Sequence, residues 1–150
     1  MNLSKHVTRS EFERSETAIN RGINNSMNEF EIERAKLLCE NCFEPIRAKV
    51  GAPIRINSGF RSAALNRAIK GSSTTSQHSL GEAMDLDLHD RDLFEWIIDN
   101  VEFDQLIFEG GTIDRADWFH ISYRKGRLRK QVLRMTKKGG KSTYTPYVRK

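Results

Sequence analysis

A stretch of strict alternation over residues 83–88 constrains the fold of this chain more than any other feature. Successive side chains of a β-strand point to opposite faces of the sheet. Asp85 and Asp87 fall on one face of this stretch, and the other face carries a methionine and two leucines. The pattern therefore predicts a strand with one face packed on a core, while its acidic face borders solvent or a site.

Helical patterns occupy the first third of the chain. The sequence Ser10-Glu11-Phe12-Glu13 is typical of a capping box and predicts a short helix that ends near Asn20. A longer helix is predicted over 29–50, because apolar residues recur there at spacings of three and four. Pro45 lies inside this pattern and should kink or restart the helix.

Strand and helix patterns alternate in the remainder of the chain. Strands are predicted at 53–58, 83–88, 103–108 and 118–123, with helices at 61–69 and after Asp90 and a loop over 71–76. Helices followed by strands with a helix between them favour an α+β fold with a mostly antiparallel sheet. A chain of 150 residues, 37% of them hydrophobic, is long enough for one domain with its own core.

Charge is distributed unevenly along the chain, whose net charge is +5. Eleven Lys or Arg residues lie from Arg124 to the C-terminus, whereas no acidic residue follows Asp117. Because the segment 137–142 has the composition of a flexible linker, we divide the chain into a domain at 1–136 and a basic flexible tail at 137–150. Such a tail favours an anionic partner, such as nucleic acid, a membrane surface or a cell envelope, although a solubilising tail without a partner has the same composition.

Cysteine usage and hydropathy narrow the class of protein further. Cys39 and Cys42 form a lone C-x-x-C inside the predicted long helix, and we interpret them as half-buried helix thiols rather than a redox pair. No apolar run reaches the length of a membrane span. The N-terminus lacks the hydrophobic segment of a signal peptide, so we expect synthesis in the cytoplasm.

Three residues form a candidate metal site: His78 and Asp85, which are close in sequence, and the more distant His120. Two imidazoles and a carboxylate suit zinc, and three protein ligands leave a fourth position open. His120 lies on the less apolar face of its predicted strand, where it could meet Asp85 across the sheet. Each signal alone is weak, because His78 and Asp85 are also typical of solvated positions, so the prediction depends on the combination.

Asp117 is the candidate base that takes a proton from the attacking water. It precedes His120 by three residues, and this odd spacing places the two side chains on opposite faces of a regular strand. The assignment therefore requires Asp117 to lie before the strand or at a bulge. Otherwise Asp117 is a carboxylate at the end of a loop that caps backbone amides.

The motifs resemble those of the M15 family of zinc peptidases. The similarity begins with Ser76-x-His78-x6-Asp85, followed downstream by Asp117-x-x-His120. The segment 56–62, Ile-Asn-Ser-Gly-Phe-Arg-Ser, is similar to the small, phage-associated D-Ala-D-Ala carboxypeptidase-like branch of that family. The resemblance runs from about residue 3 to residue 123, which is most of the chain.

The resemblance implies one zinc ion per chain, bound by His78, Asp85 and His120. It implies that Asp117 is the catalytic acid and base. It also implies that Arg61 binds substrate and stabilises the oxyanion that develops in the reaction.

Two further residues are candidates for contact with the substrate. The resemblance places Ser76 near the bound substrate. Trp118 shares a strand face with His120, so it lines the pocket or belongs to the core.

The family relationship implies peptides of bacterial peptidoglycan as substrates, cut as by a D,D-carboxypeptidase or an L-Ala–D-Glu endopeptidase. By analogy, the missing signal peptide and the basic tail indicate a phage endolysin that reaches the cell wall after release. We expect the chain to be a monomer, and its basic tail to bind anionic polymers of the cell envelope. The alternative is a non-catalytic zinc-containing module of the same fold that binds cell wall or protein, as hedgehog-type domains resemble this fold. Nucleic acid is not an expected partner.

Overall fold

Most of the strands belong to one mixed sheet. The computed structural model describes residues 1–69 and 76–150. Their strands are β1 (Asn2–Ser4), β2 (Val7–Thr8), β3 (Ile56–Ser58), β4 (Ala83–Leu86), β5 (Gln105–Glu109), β6 (Trp118–Ser122), β7 (Gln131–Lys138) and β8 (Lys141–Pro146). The main sheet has the order β3-β4-β6-β5-β7-β8, and only the β5–β7 pairing in it is parallel. The predicted α+β fold with a mostly antiparallel sheet is confirmed.

The helices lie mainly before the sheet in the sequence. They are α1 (Arg9–Glu13), α2 (Glu16–Arg21), α3 (Glu29–Leu38), α4 (Glu44–Val50), α5 (Ala63–Ala68) and α6 (Arg91–Asn100). A π-helical turn, Cys39–Phe43, joins α3 to α4, and a 3₁₀ turn, Gln77–Leu80, leads into β4. None of the helices in the described part of the chain is long and apolar enough to cross a membrane.

The first predicted helix is wrong in its extent and in its cap. Thr8, not Ser10, forms the capping box: its hydroxyl accepts from the Glu11 backbone N–H at 3.2 Å, and the Glu11 carboxylate accepts from the Thr8 N–H at 3.1 Å. The helix ends at Glu13, and the backbone of the next residue, Arg14, is extended. Ser15 then caps α2, so two short helices replace the predicted one.

The prediction of one long helix over 29–50 with a break near Pro45 is confirmed. Pro45 lies in the first turn of α4, directly after the π-helical turn, and it lacks the N–H that would otherwise continue the helical hydrogen bonds there. Cys39 and Cys42 are free thiols and are fully buried rather than half-buried. Burial raises the pKa of both thiols well above the usual range, so both remain protonated and unreactive at neutral pH.

The alternation that predicted β4 is confirmed, although the strand ends at Leu86 instead of Leu88. Met84 and Leu86 are completely buried in the core, where they join apolar residues from the same face of β5 and β6. Asp85 points to the other face, which is the face of the site. The predicted loop over 71–76 lies outside the described residues except for Ser76.

The predicted linker at 137–142 is wrong as a structural assignment, because these residues form the end of a β-hairpin. Lys138 pairs with Lys141, and Gly139 and Gly140 between them both have positive φ, as in the tight turns that match the twist of a hairpin. The proposed boundary at 136 therefore falls inside β7. The final residues fold back on α6, where Arg149 contacts Asp99 at 2.7 Å.

Asp104 fixes the loop that leads into β7. Its side chain is fully buried and accepts hydrogen bonds from Arg127 at 3.1 Å, from Arg129 at 2.7 Å and from Gln77 at 3.1 Å. Gln77 belongs to the 3₁₀ turn that carries His78, so one carboxylate connects the sheet, the basic loop and that turn. Burial alone would raise the pKa of Asp104, but the bonds from Arg129 outweigh burial and lower it to about 2.

We expect Asp104→Asn to lower the free energy of unfolding by about 2 kcal/mol at pH 7. Because the pKa of Asp104 is lower in the folded chain than its ordinary value of 3.8, its contribution is present above that value and is lost as the pH falls through about 2. Urea unfolding of the wild type and the variant between pH 2 and pH 7 measures the difference. A difference that grows toward low pH contradicts this account, and Glu102→Gln, a change at an exposed carboxylate, is the control.

Candidate metal centre and groove

Neighbouring elements bring His78, Asp85 and His120 together. His78 lies in the 3₁₀ turn, Asp85 in β4 and His120 in β6. Asp85 and His120 are directly paired across the antiparallel ladder, so their side chains share a face. One ligand atom from each of the three residues lies within 4.8 Å of the others. The grouping predicted from sequence is therefore present, and it could hold one metal ion.

The hydrogen bonds of His78 direct its free nitrogen toward the other two residues. Its Nδ1 lies 2.7 Å from the Gly59 carbonyl oxygen, which can only accept, so Nδ1 carries the proton and donates. The lone pair on Nε2 then faces Asp85 Oδ1 at 3.4 Å, and His120 Nδ1 lies 3.0 Å from the same oxygen. A histidine ligand that donates its second nitrogen to a backbone carbonyl is typical of metal sites.

Close backbone packing holds this carbonyl in place. A Cβ atom at Gly59 would lie 2.3 Å from the Phe12 carbonyl oxygen, so only glycine allows this approach. The 3₁₀ turn is attached to the same segment, because the Arg61 N–H donates to the His78 carbonyl at 3.1 Å. The Ser76 hydroxyl caps the turn by accepting from the His78 N–H at 3.2 Å.

The electrostatic environment keeps the group in the form that binds a cation. Burial lowers the pKa of His78, although Asp85 acts in the opposite direction. Burial alone would raise the pKa of Asp85, but the two neighbouring imidazoles, His78 first and then His120, outweigh burial and hold this pKa well below the usual range. A neutral imidazole and an ionised carboxylate are the ligand forms that zinc requires.

The three residues lie in an open groove of about 920 Å³ across one face of the sheet. The groove extends from the 3₁₀ turn and β4 on one side to β7 and β8 on the other. The residues that line it include Arg61, Ser76, Gln77, His78, Asp85, Gln105, Ile107, Glu109, Trp118, His120, Arg127, Arg129, Leu133, Met135, Lys137, Ser142 and Tyr144. The C-terminal hairpin thus supplies one wall of the groove. This position makes the hairpin part of the site rather than an appended tail.

Arg61, Ser76 and Trp118, the residues predicted to contact substrate, all line the groove. The Arg61 guanidinium approaches the Ser76 hydroxyl at 3.5 Å, and its charge acts on Asp85. Within the described residues, Arg61 Nε and Trp118 Nε1 are buried and have no hydrogen-bond partner. Buried donors without partners cost stability, and both lie where a substrate with acceptor oxygens could satisfy them.

Asp117 is the predicted site residue that the structure does not bring into the groove. It is exposed, and its Oδ2 accepts from the Gly111 N–H at 3.1 Å. Its own N–H donates to the Glu109 carbonyl at 2.8 Å, which continues the regular ladder of β6 without a bulge. Asp117 therefore keeps strand register, and its side chain closes the turn after β5.

Glu109 is a groove residue that the sequence reasoning missed. It is 6% exposed and lines the groove at the end of β5. Burial raises its pKa to about 7, against the effect of His120. The predicted strand ended at Phe108; extending the alternation by one residue would have placed Glu109 on the polar face with Gln105.

Two imidazoles and a carboxylate converge at the side of an open groove. This arrangement is typical of proteins that have a single metal site which a substrate can reach. The model of the Peptidase M15 family matches residues 5–122, and the chain belongs to this family. Membership supports a zinc-dependent metallopeptidase that acts on a peptide substrate. None of the curated proteins compared with the chain matches it. Strands β7 and β8 lie outside the matched range.

Proposed function

We propose that the chain is a zinc peptidase that hydrolyses peptide bonds in the stem peptides of bacterial peptidoglycan. The observation that carries this proposal is the convergence of His78, Asp85 and His120 within 4.8 Å in a groove that also contains a half-buried arginine. These three residues would hold one zinc ion per chain. The donor set, the neutral state of His78 and the ionised state of Asp85 fit zinc better than magnesium or calcium, which prefer oxygen ligands.

A zinc ion held by these residues would supply Lewis-acid chemistry, namely polarisation of the scissile carbonyl and activation of water near neutral pH. Arg61 would bind the carbonyl oxygen of the substrate and stabilise the negative charge that develops on it. Its guanidinium suits this role because it stays charged and has several donors, one of which, Nε, lacks a partner in the described structure. Ser76 would hold the guanidinium in position, and Trp118 would pack against the substrate beside His120.

The length of the groove supports a substrate that extends beyond the bond that is cut. From the metal centre the groove continues to the hairpin, where Lys137 and Tyr144 offer a cation and an aromatic ring. A stem peptide carries carboxylates that a lysine can attract. Both D,D-carboxypeptidase and L-Ala–D-Glu endopeptidase activity suit this arrangement, as does the role of a phage endolysin that acts on the cell wall after release.

We expect the purified, zinc-loaded chain to release peptide fragments from purified peptidoglycan, and a chelator to abolish the release. The physical reason is that the proposed nucleophile depends on the metal. Mass analysis of the fragments identifies the bond: loss of a terminal D-Ala indicates carboxypeptidase activity, and stem peptides freed from L-Ala indicate the endopeptidase.

The control is re-addition of zinc to the chelated chain, which should restore the release. No metal-dependent product from walls of several bacterial types contradicts the proposed function. Zinc-dependent binding to the walls without cleavage would favour the alternative, a non-catalytic binding module.

A further inference from the structure

We infer that Glu109, at the end of β5, is the carboxylate that accepts and returns the proton during peptide hydrolysis, in the role that the sequence pattern assigns to Asp117. The inference rests on the proposed function, because it names a catalytic residue for that reaction. It departs from the sequence pattern, which places the carboxylate three residues before His120.

The strand register places Glu109 beside the metal centre. Glu109 pairs directly with Trp118, and Ile107 pairs directly with His120. Glu109 and His120 are therefore diagonal neighbours on one face, a relation that separates residues by about 7–8 Å. Asp85 lies on the same face, across from His120.

The carboxylate of Glu109 is unlike the other buried carboxylates of the chain. Asp104 is paired with two arginines, and Glu82 accepts from Arg124 at 3.0 Å. Glu109 is 6% exposed, yet within residues 1–69 and 76–150 its carboxylate makes no hydrogen bond or ion pair. An unpaired buried carboxylate destabilises a fold. Because Glu109 lies on the groove wall, its carboxylate can contact a bound substrate, which a purely structural carboxylate does not do.

The protonation behaviour of Glu109 agrees with this geometry. Burial raises its pKa to about 7, so the group can both accept and donate a proton near neutral pH. The ionisable groups that act on it by charge are His120 on β6, Asp85 on β4, Lys137 and Arg134 on β7, and Tyr144 on β8; Arg134 does so from the other face of the sheet, over the Phe108 ring. Most acid and base catalysts in enzymes have a pKa tuned toward the working pH in this way.

Asp117 is occupied elsewhere in the fold. Its carboxylate accepts from the Gly111 N–H and lies so close to Gly110 that a Cβ there would overlap it. Its charge also acts on Arg134, whose guanidinium donates to the Gly110 carbonyl at 2.6 Å. These contacts give Asp117 a structural task in the turn between β5 and β6.

The proton transfers balance with Glu109 as the only proton carrier. The oxygen of water forms a bond to the carbonyl carbon, and one proton of that water passes to the Glu109 carboxylate. The bond between this carbon and the amide nitrogen then breaks, and Glu109 passes the same proton to the nitrogen. A carboxylic acid and an amine leave, and Glu109 is ionised again.

The test compares Glu109→Gln with Asp117→Asn in the full zinc-loaded chain, using a peptidoglycan fragment that the wild type cleaves. We expect Glu109→Gln to keep one zinc per chain and to lose about 10²–10⁴-fold in kcat, the usual contribution of a general base. Asp117→Asn should retain kcat within a few-fold. The inference is overturned if Glu109→Gln keeps most of its activity, or if Asp117→Asn loses as much as Glu109→Gln with zinc and fold intact.

A second measurement does not depend on activity. In chain labelled with ¹³C at the glutamate carboxyls, the Glu109 signal is identified by its absence from Glu109→Gln, and its titration is followed without and with zinc. A dication next to Glu109 favours the carboxylate, so we expect its titration to move to lower pH when zinc is bound. An unchanged titration overturns the inference, even if the wild type cleaves no peptidoglycan and the proposed function has failed on its own test.

Discussion

The variant His120→Ala is expected to lose the zinc ion, and with it all metal-dependent cleavage of peptidoglycan. Changes to residues that merely support a metal ligand weaken binding about 10–100-fold, so removal of a ligand should weaken it by more than about 100-fold. Asp85 would also lose the hydrogen bond from His120 Nδ1 at 3.0 Å, which helps to hold its carboxylate in place. Metal analysis after dialysis measures the loss directly.

Thermal unfolding gives a second readout of the same variant. A ligand at a thousand times its Kd stabilises the folded chain by about 4 kcal/mol, which corresponds to a rise in Tm of roughly 8–16 °C for a domain of this size. We expect zinc to raise the Tm of the wild type by an amount of this order and to leave the Tm of His120→Ala nearly unchanged.

His89→Ala is the matched control for His120→Ala. The Nδ1 of His89 lies 2.9 Å from the Ala116 carbonyl oxygen and its Nε2 lies 3.0 Å from Asp87, outside the metal centre. This variant should keep one zinc ion and the zinc-dependent rise in Tm. If His120→Ala keeps zinc as well as His89→Ala does, the ligand assignment is wrong.

The variant Arg61→Ala is expected to separate substrate activation from metal binding. If Arg61 stabilises the charge on the carbonyl oxygen, its removal should lower kcat by about 10²–10³-fold, as the loss of a donor to an oxyanion does in other hydrolases. Zinc content should not fall, because removing a cation near Asp85 leaves the ligands more negative. The backbone bond from residue 61 to the His78 carbonyl at 3.1 Å does not need the side chain, so the turn should keep its position.

Arg61→Lys and Arg67→Ala complete the comparison. Lysine keeps the charge but lacks the planar set of donors, so Arg61→Lys should recover only part of the lost kcat. Arg67 is exposed on α5 and does not line the groove, so its removal should leave kcat unchanged. Full activity of Arg61→Ala would show that another group stabilises the oxyanion.

The fold could be predicted to the level of its class because local patterns and the final packing agree. The alternation at β4 indicated one apolar and one acidic face, and Met84 and Leu86 are indeed completely buried. The periodicity over 29–50 and the break near Pro45 also depend only on neighbouring residues. The helix cap at Thr8 and the hairpin turn at Gly139 were missed. In each case several neighbouring residues are of a type that could form the cap or the turn, and the sequence does not show which of them does.

The candidate metal centre was predictable for the same reason. Asp85 and His120 each lie on the polar face of an alternating strand, and polar faces of adjacent strands meet across the ladder. The proximity of His78 followed from its place just before β4. The sequence could not predict that the C-terminal hairpin forms a wall of the groove, because β7 pairs with β5 across 21 residues of intervening chain that include β6.

Sequence alone predicted the candidate group His78, Asp85 and His120, the α+β class and the family resemblance, because these depend on residue type, alternation and spacing. Only the tertiary structure distinguishes Asp117 from Glu109, because it places Glu109 on the groove wall and bonds Asp117 to the turn after β5. Asp117 is closer to His120 in sequence, but its strand register and its bond to the Gly111 N–H direct it away from the groove. Glu109 is eleven positions before His120, yet the antiparallel pairing of β5 with β6 places both on one face.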